Sequence, residues 1–219
     1  MIPLRDANPS STIPFVNYLL IATNCLVFFF MLSTRGFAND LILRFGLTPS
    51  TWLQEIRVAH WHAFIPLFAS MFMHGGWLHL LGNMLYLFIF GDNVEDKFGH
   101  GRYLVFYLLA GMAAAFTQIY FNPTSDVPMV GASGAIAGVL GAYVFMFPKA
   151  KVTTLIFIVI FVKIVDLPAF LFLGIWFITQ MFSGVMSLGI GADAGGVAWW
   201  AHIGGFAAGA IGIPIFRKR

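Results

Sequence analysis

Charge is what this chain of 219 residues has least of: only 10% are Asp, Glu, Lys or Arg, against about 25% in a soluble domain. So few charges cannot coat a water-soluble surface of this size. The 12 basic residues are dispersed rather than patched, which argues against a nucleic-acid surface. Cysteine is nearly absent too. The single Cys25 lies inside an apolar run, excludes an intramolecular disulfide and reads as a small buried hydrophobe. A cleavable leader pattern is missing, since the apolar stretch 15–32 is too long and has no clear small-residue cleavage site. That stretch is expected to be a retained first helix. Internal repeats, low-complexity tracts and domain boundaries are also lacking, so residues 1–219 are expected to form one domain.

What the chain has in abundance is apolar length. Hydrophobic residues make up 59%, with 25 Phe and a mean hydropathy of +0.86, and runs of about 18 apolar residues recur, as in transmembrane helices. Spans are expected at 15–32, 78–90, 103–121, 132–147, 167–184 and 198–216. The fold class is therefore all-α integral membrane, a six-helix bundle with a long membrane-associated first outer loop. The shorter run 153–162 is followed by "KIVDLP", and Lys163 and Asp166 would be costly in mid-bilayer. It is expected to lie along the membrane surface or dip into it; the alternative is a seventh span.

The distribution of positive charge favours six spans. With a cytoplasmic N-terminus, Arg5, Lys97, Arg102, Lys149, Lys151, Lys163, Arg217, Lys218 and Arg219 fall inside, and only Arg35, Arg44 and Arg57 fall outside. Trp52, Trp61, Trp77, Trp199 and Trp200 then lie at or near the outer interface. The segment "HWHAFIPLFASMF" in the first outer loop is too short to span and too apolar to be solvated. It is expected to pack beside the bundle, with His60 and His62 interfacial.

On this topology the second, fourth and sixth helices run from outside to inside, each with unusual polar residues at its outer end. The second carries His79 and Asn83, four residues apart and so on one face. The fourth opens with Ser133 and the sixth with His202. Gly134, Gly138 and Gly141 stripe the fourth helix, and Gly205, Gly209 and Gly212 stripe the sixth. Small residues at that spacing let membrane helices approach closely. With the stripes in register, Ser133 and His202 differ by roughly 3 Å in depth, at about 1.5 Å per residue.

A serine hydroxyl becomes a nucleophile when a base takes its proton, and His202 is the candidate base. Asp126 and Asp193 lie in outer loops and Asp92 at the opposite end, so a dyad rather than a triad is expected. His79, Asn83 and the Ser133 backbone N–H are candidate oxyanion donors. The bland alternatives stay open at this point. Ser133 can be a helix N-cap, and the histidines can be hydrogen-bonded glue between helices. His74 is expected to set the entry of the second helix, and His100 to sit in the polar inner turn.

The motifs "HGGWLHLLGN", "GASG" and "AHIGG", in that order on the second, fourth and sixth helices, resemble the rhomboid family of intramembrane serine proteases. "FGDNVED", placed after the second helix, extends the resemblance over most of the chain. The resemblance implies a six-helix core and cleavage of single-pass membrane proteins near their outer ends, without a cofactor or metal. It implies Ser133 as nucleophile, His202 as general base, and His79 and Asn83 as oxyanion partners. Lateral substrate entry near the second and fifth helices is also implied, with Phe170, Phe172, Trp176 and Phe177 at or near that gate. A bacterial inner membrane with both termini cytoplasmic is the implied location.

In one respect the chain departs from the pattern. Four residues after the serine some members carry an aromatic that packs on the histidine, whereas this chain has Ala137; Trp199 or Trp200 is the expected substitute. Three rival functions are weighed. A non-catalytic rhomboid-like protein that clamps membrane helices would not need both Ser133 and His202. A His-ligated haem or metal protein could use His74 and His79, but leaves Ser133 unexplained. A channel or transporter would continue its polar residues across the bilayer.

Overall fold

The computed structural model describes the chain apart from residues 35, 37, 59–60, 159–160, 191–196 and 219, and the side chains of 158 and 188–190. Arg35, His60, Asp193 and Arg219 therefore lie outside the described residues. Among the described residues the apolar runs form six long helices: α1 (Phe15–Ser33), α5 (Trp77–Phe98), α6 (His100–Phe121), α7 (Ser133–Met146), α8 (Ala169–Ile190) and α9 (Trp199–Phe216). Three short helices, α2 (Ala38–Phe45), α3 (Pro49–Arg57) and α4 (Phe64–Ala69), occupy the first loop. The protein is a multi-pass integral membrane protein. Helices α1, α6, α8 and α9 are each long and apolar enough to cross a bilayer, and α5 qualifies together with the bent segment Trp61–Phe72 before it. The shorter α7 has 14 residues, about 21 Å at 1.5 Å per residue, against a hydrocarbon core of about 30 Å.

Helix α5 runs eight residues past the expected end at 90, so "FGDNVED" belongs to the helix rather than following it. Its polar last turns are satisfied by the N-terminal segment. The Glu95 carboxylate accepts the N–H groups of Val16 at 3.1 Å and Asn17 at 2.7 Å, two of the orphan donors that open α1. Ser11 and Thr12 donate to Asp96, and Asn8 donates to Asn93. Hydropathy alone ends the helix where these carboxylates begin, because it cannot see their partners.

The run 153–162 is not the seventh span weighed as the alternative: its described residues belong to a three-stranded antiparallel sheet. Strand β2 (Lys151–Ile158) lies between β1 (Ile2–Asp6) and β3 (Phe161–Pro168). Thr153, Thr154, Ile156 and Ile158 supply the β-branched character that favours a strand. The hairpin returns the chain to its starting level, where the Ala169 N–H reaches the Ala150 carbonyl. Lys163 pairs with Ile156, and Asp166 accepts from Thr153 across the ladder.

The sheet also fixes the relation of the chain ends. β1 precedes α1 and pairs with β2, which follows α7. Four long helices thus leave one end of the bundle and return to it. The C-terminal segment is held at that same end, where the Lys218 N–H bonds to the Lys97 carbonyl. The Ser133 end of α7 and the Trp199 end of α9 face the other way.

Helix α7 is buried from Ala135 to Tyr143, packed against α5, α6 and α9. A β-carbon on Gly205 would overlap the Gly134 carbonyl, and one on Gly209 would overlap the Gly138 carbonyl. Gly141 lies against the Phe206 backbone, while Gly212 faces the Phe106 ring of α6 rather than α7. Toward the opposite end, Phe90, Tyr143 and Phe172 close the core, with Phe90 edge-on to Tyr143 at 4.9 Å. The segment Trp61–Phe72 turns 81° from α5 and so lies across the bundle rather than along it. Trp52 braces it through its indole N–H to the Ala63 carbonyl at 3.0 Å.

Candidate active site

The path into α7 decides where its first hydroxyl sits. Residues 122–132 descend beside the first loop, and Met129 and Leu47 exchange both backbone hydrogen bonds, at 2.9 and 3.0 Å. The Gly131 N–H then donates to the Ser70 carbonyl at 2.9 Å. Irregular backbone below a membrane surface needs such partners, and here the first loop supplies them. Gly131 has φ +126, and a β-carbon there would lie 2.7 Å from His79 Nε2 and 3.6 Å from Asn83 Nδ2. Glycine at 131 lets the chain turn into α7 directly beneath those two side chains.

Ser133 is the first residue of α7 and His202 lies in the first turn of α9. The close approach of these helices at their glycines places His202 Nε2 2.9 Å from Ser133 Oγ. His202 is buried and Ser133 half-buried. Both face a cavity of about 590 Å³ whose lining includes His79, Asn83, Tyr86, Gln118, Met129 and Trp176. Above the dyad, the Gln118 carboxamide accepts the Ala201 N–H at 3.2 Å and ties the opening turn of α9 to α6.

The second contact of His202 has no counterpart in the sequence reading. Nδ1 lies 2.7 Å from Gln180 Oε1 on α8, so the imidazole is held at both nitrogens. Trp176, one turn earlier on the same helix, lies 5.9 Å from the imidazole centroid, and Trp199 stands edge-on to it at 6.2 Å. Trp200 points elsewhere and stacks on Phe121 at 3.8 Å. The place left small by Ala137 is used for packing, since a β-carbon on Gly205 would sit 3.3 Å from the Ala137 methyl. The available signal was a glutamine inside an apolar helix, "FITQMF", where an intramembrane polar side chain calls for a partner.

His74 stands at the entry of the second long helix, as expected, and makes a contact that the sequence did not suggest. Asn83 Nδ2 donates to His74 Nε2 at 2.9 Å, and the rings of His74 and His79 meet edge-on at 5.0 Å. His74 thus orients the Asn83 amide as well as marking the entry to α5. Its Nε2 is occupied by that bond, and no group of three or more His, Cys, Asp or Glu side chains suited to a metal occurs among the described residues.

The four aromatics of α8 expected at a gate do not form one surface. Phe170 is exposed near the sheet end of α8, and Trp176 lines the cavity. Phe172 is buried and stacks on Tyr86 and Phe90 of α5, each at 6.3 Å. Phe177 turns to α9 and stacks on Phe206 at 4.4 Å. At 3.6 residues per turn, Phe172 and Trp176 share one side of α8, and Phe170 and Phe177 lie on roughly the opposite one.

The family model of the Rhomboid domain matches residues 61–219. The chain is 30% identical to "Rhomboid protease GluP" of Bacillus subtilis (strain 168), over 94% of this chain and 37% of that protein. It is 36% identical to "RHOMBOID-like protein 5" of Arabidopsis thaliana over 35% of this chain and 25% of that one. Identity to "Putative rhomboid protease YdcA" of Bacillus subtilis is 29%, over 61% of this chain and 62% of the relative. The chain thus matches about a third or less of the first two relatives and just under two thirds of the third.

Proposed function

The chain belongs to the rhomboid family, and from that premise we propose that it is an intramembrane serine endopeptidase working through a Ser133–His202 dyad. The observation that carries this reading is the 2.9 Å contact between His202 Nε2 and Ser133 Oγ at the wall of a cavity. Ser133 Oγ attacks the carbonyl carbon of a peptide bond while its proton passes to His202 Nε2. The carbonyl oxygen becomes an oxyanion, facing His79 Nε2, Asn83 Nδ2 and the backbone N–H of Ser133. Each such donor is worth about 3–4 kcal/mol of barrier where it has been measured. When the carbon–nitrogen bond breaks, His202 returns the proton to the leaving amine, and water attacks the resulting ester by the same route. The first turn of α7 adds its positive dipole end at the oxyanion.

The substrate class is carried by the family resemblance, which implies a single-pass membrane protein cut near the boundary of its span, and a cavity at one end of a membrane bundle suits it. Entry between α5 and α8 is supported by the slender contact there, with Phe172 on Tyr86 and Phe90. The opposite end carries Arg5, Lys97, Arg102, Lys149, Lys151, Lys163, Arg217 and Lys218, which favours a cytoplasmic position for it. The site then faces outward, in a bacterial inner membrane.

The test is cleavage of a single-pass reporter in detergent or liposomes by wild type, Ser133→Ala and His202→Ala. A loss of at least about 10³-fold in kcat is expected for both variants, with unchanged thermal unfolding. Equal cleavage by the variants, or none by wild type across several reporters and lipids, would move the chain to a helix-clamping role.

A further inference from the structure

A dyad histidine needs one tautomer. To accept the Ser133 proton, Nε2 must carry a lone pair, so the single proton of the neutral ring must sit on Nδ1. A free imidazole exchanges between both forms, and in the wrong one Nε2–H points at the serine and cannot act as base. Gln180 Oε1 lies 2.7 Å from Nδ1, and a carboxamide oxygen only accepts, so this contact selects the Nδ1–H form.

A carboxamide is ambiguous in a way that a carboxylate is not. Turned over, Gln180 would offer its NH₂ group to Nδ1 and select the other form. In a soluble serine protease that same error, made by replacing the triad aspartate with asparagine, costs about 10⁴ in kcat. Here the turn is opposed from behind. Gln180 Nε2 lies 3.4 Å from Thr179 Oγ1, a long contact, and the Thr179 hydroxyl donates to the Trp176 carbonyl at 2.6 Å. A backbone carbonyl can only accept, so the Thr179 hydroxyl proton is committed and its oxygen is left to accept from Gln180. Every donor then points the same way, from Ser133 to His202 to Gln180 to Thr179 to the Trp176 carbonyl. A neutral amide achieves this orientation without the desolvation cost of a carboxylate in the bilayer.

We propose that Gln180 is a positioning residue that holds His202 with its proton on Nδ1, and that Thr179 and the Trp176 carbonyl fix which end of the Gln180 amide faces the imidazole. The proposal rests on the Ser133–His202 reading for its consequence, but the tautomer itself can be measured without catalysis.

Three variants and two readouts test it. Gln180→Leu removes the acceptor from a buried position, whereas Thr179→Val changes an exposed residue nearly isosterically and leaves Gln180 in place. In Gln180→Leu, kcat on a single-pass reporter is expected to fall about 10- to 100-fold with KM within about twofold, part of the roughly 10²–10⁴ that a positioned general base contributes. In Thr179→Val a fall of about 3- to 10-fold is expected, and Thr179→Ser restores most of it. Nitrogen-15 NMR of histidine-labelled protein reads the second quantity. Wild type shows one His202 tautomer with Nδ1 protonated, and Thr179→Val shows the other form appearing. A wild-type spectrum with Nε2 protonated overturns the proposal, as does a Gln180→Leu enzyme that folds and keeps wild-type kcat. If wild type cleaves nothing, the protease reading falls while the His202 spectrum still decides the role of Gln180.

Discussion

Gly131 is the residue on which the site geometry turns. Its φ of +126 lies where L side chains are rarely found, and the space a β-carbon would need is held by His79. Gly131→Ala therefore faces backbone strain of about 1–3 kcal/mol and a collision with His79, the proposed oxyanion donor. On the proposed mechanism, relief by moving the His79 ring withdraws a group worth about 3–4 kcal/mol to the transition state. The expected result is a fall in kcat of about 10²-fold or more, larger than the accompanying loss of thermal stability accounts for. Parallel turnover and unfolding measurements check this, and a variant with wild-type kcat would release His79 from its assigned part. The residues that meet here were legible because each is an uncommon type at the head of an apolar run. Gln180 was not, since its partner lies 22 positions away and no local spacing links "FITQMF" to "AHIGG". Which nitrogen of His202 needed a partner became visible only once Ser133 had claimed the other.

At the scale of helices, small residues decide how α7 and α9 bring serine and histidine together. The Gly138 carbonyl occupies the space where a Gly209 side chain would begin, and a backbone wall cannot swing aside as a side chain can. Gly209→Leu must push the helices apart, at about 1–3 kcal/mol or more for overpacking. It is expected to lower the unfolding temperature and to abolish cleavage, because a shift of about 1 Å already costs about 10²-fold in rate. Gly174→Ala is the matched control. Nothing lies within 4 Å of a β-carbon at Gly174 on α8, so stability and turnover should stay near wild type. The six long helices and both stripes were readable from hydropathy and spacing. The sheet was not, because a short apolar run with β-branched residues fits strand and buried helix alike. What decides it is β1, whose Ile2 pairs with Leu155 of β2 across most of the chain.

Across the whole molecule the two ends do opposite work. One end is open around the cavity, and the other is closed by the sheet, the Glu95 and Asp96 contacts and the docked C-terminal segment. Asp6 sits in that closed end on β1, where the Tyr143 hydroxyl donates to its carboxylate. Burial raises its pKa above the ordinary 3.8, and the Tyr143 bond offsets only part of that. The sign follows from proton linkage. A carboxyl that binds its proton more tightly when folded favours the fold below its unfolded value, and that advantage disappears as pH rises through the raised folded value. At neutral pH the ionised Asp6 is thus a cost that the closed end carries. Asp6→Asn keeps an acceptor for Tyr143 and removes the charge. It should raise the unfolding temperature at pH 7, and the gap should narrow as pH falls toward 3.8, where wild-type Asp6 is neutralised. Thermal unfolding of both proteins in one detergent over that range measures it. A gap that widens on acidification would mean that the Asp6 charge holds β1 to the bundle rather than straining it.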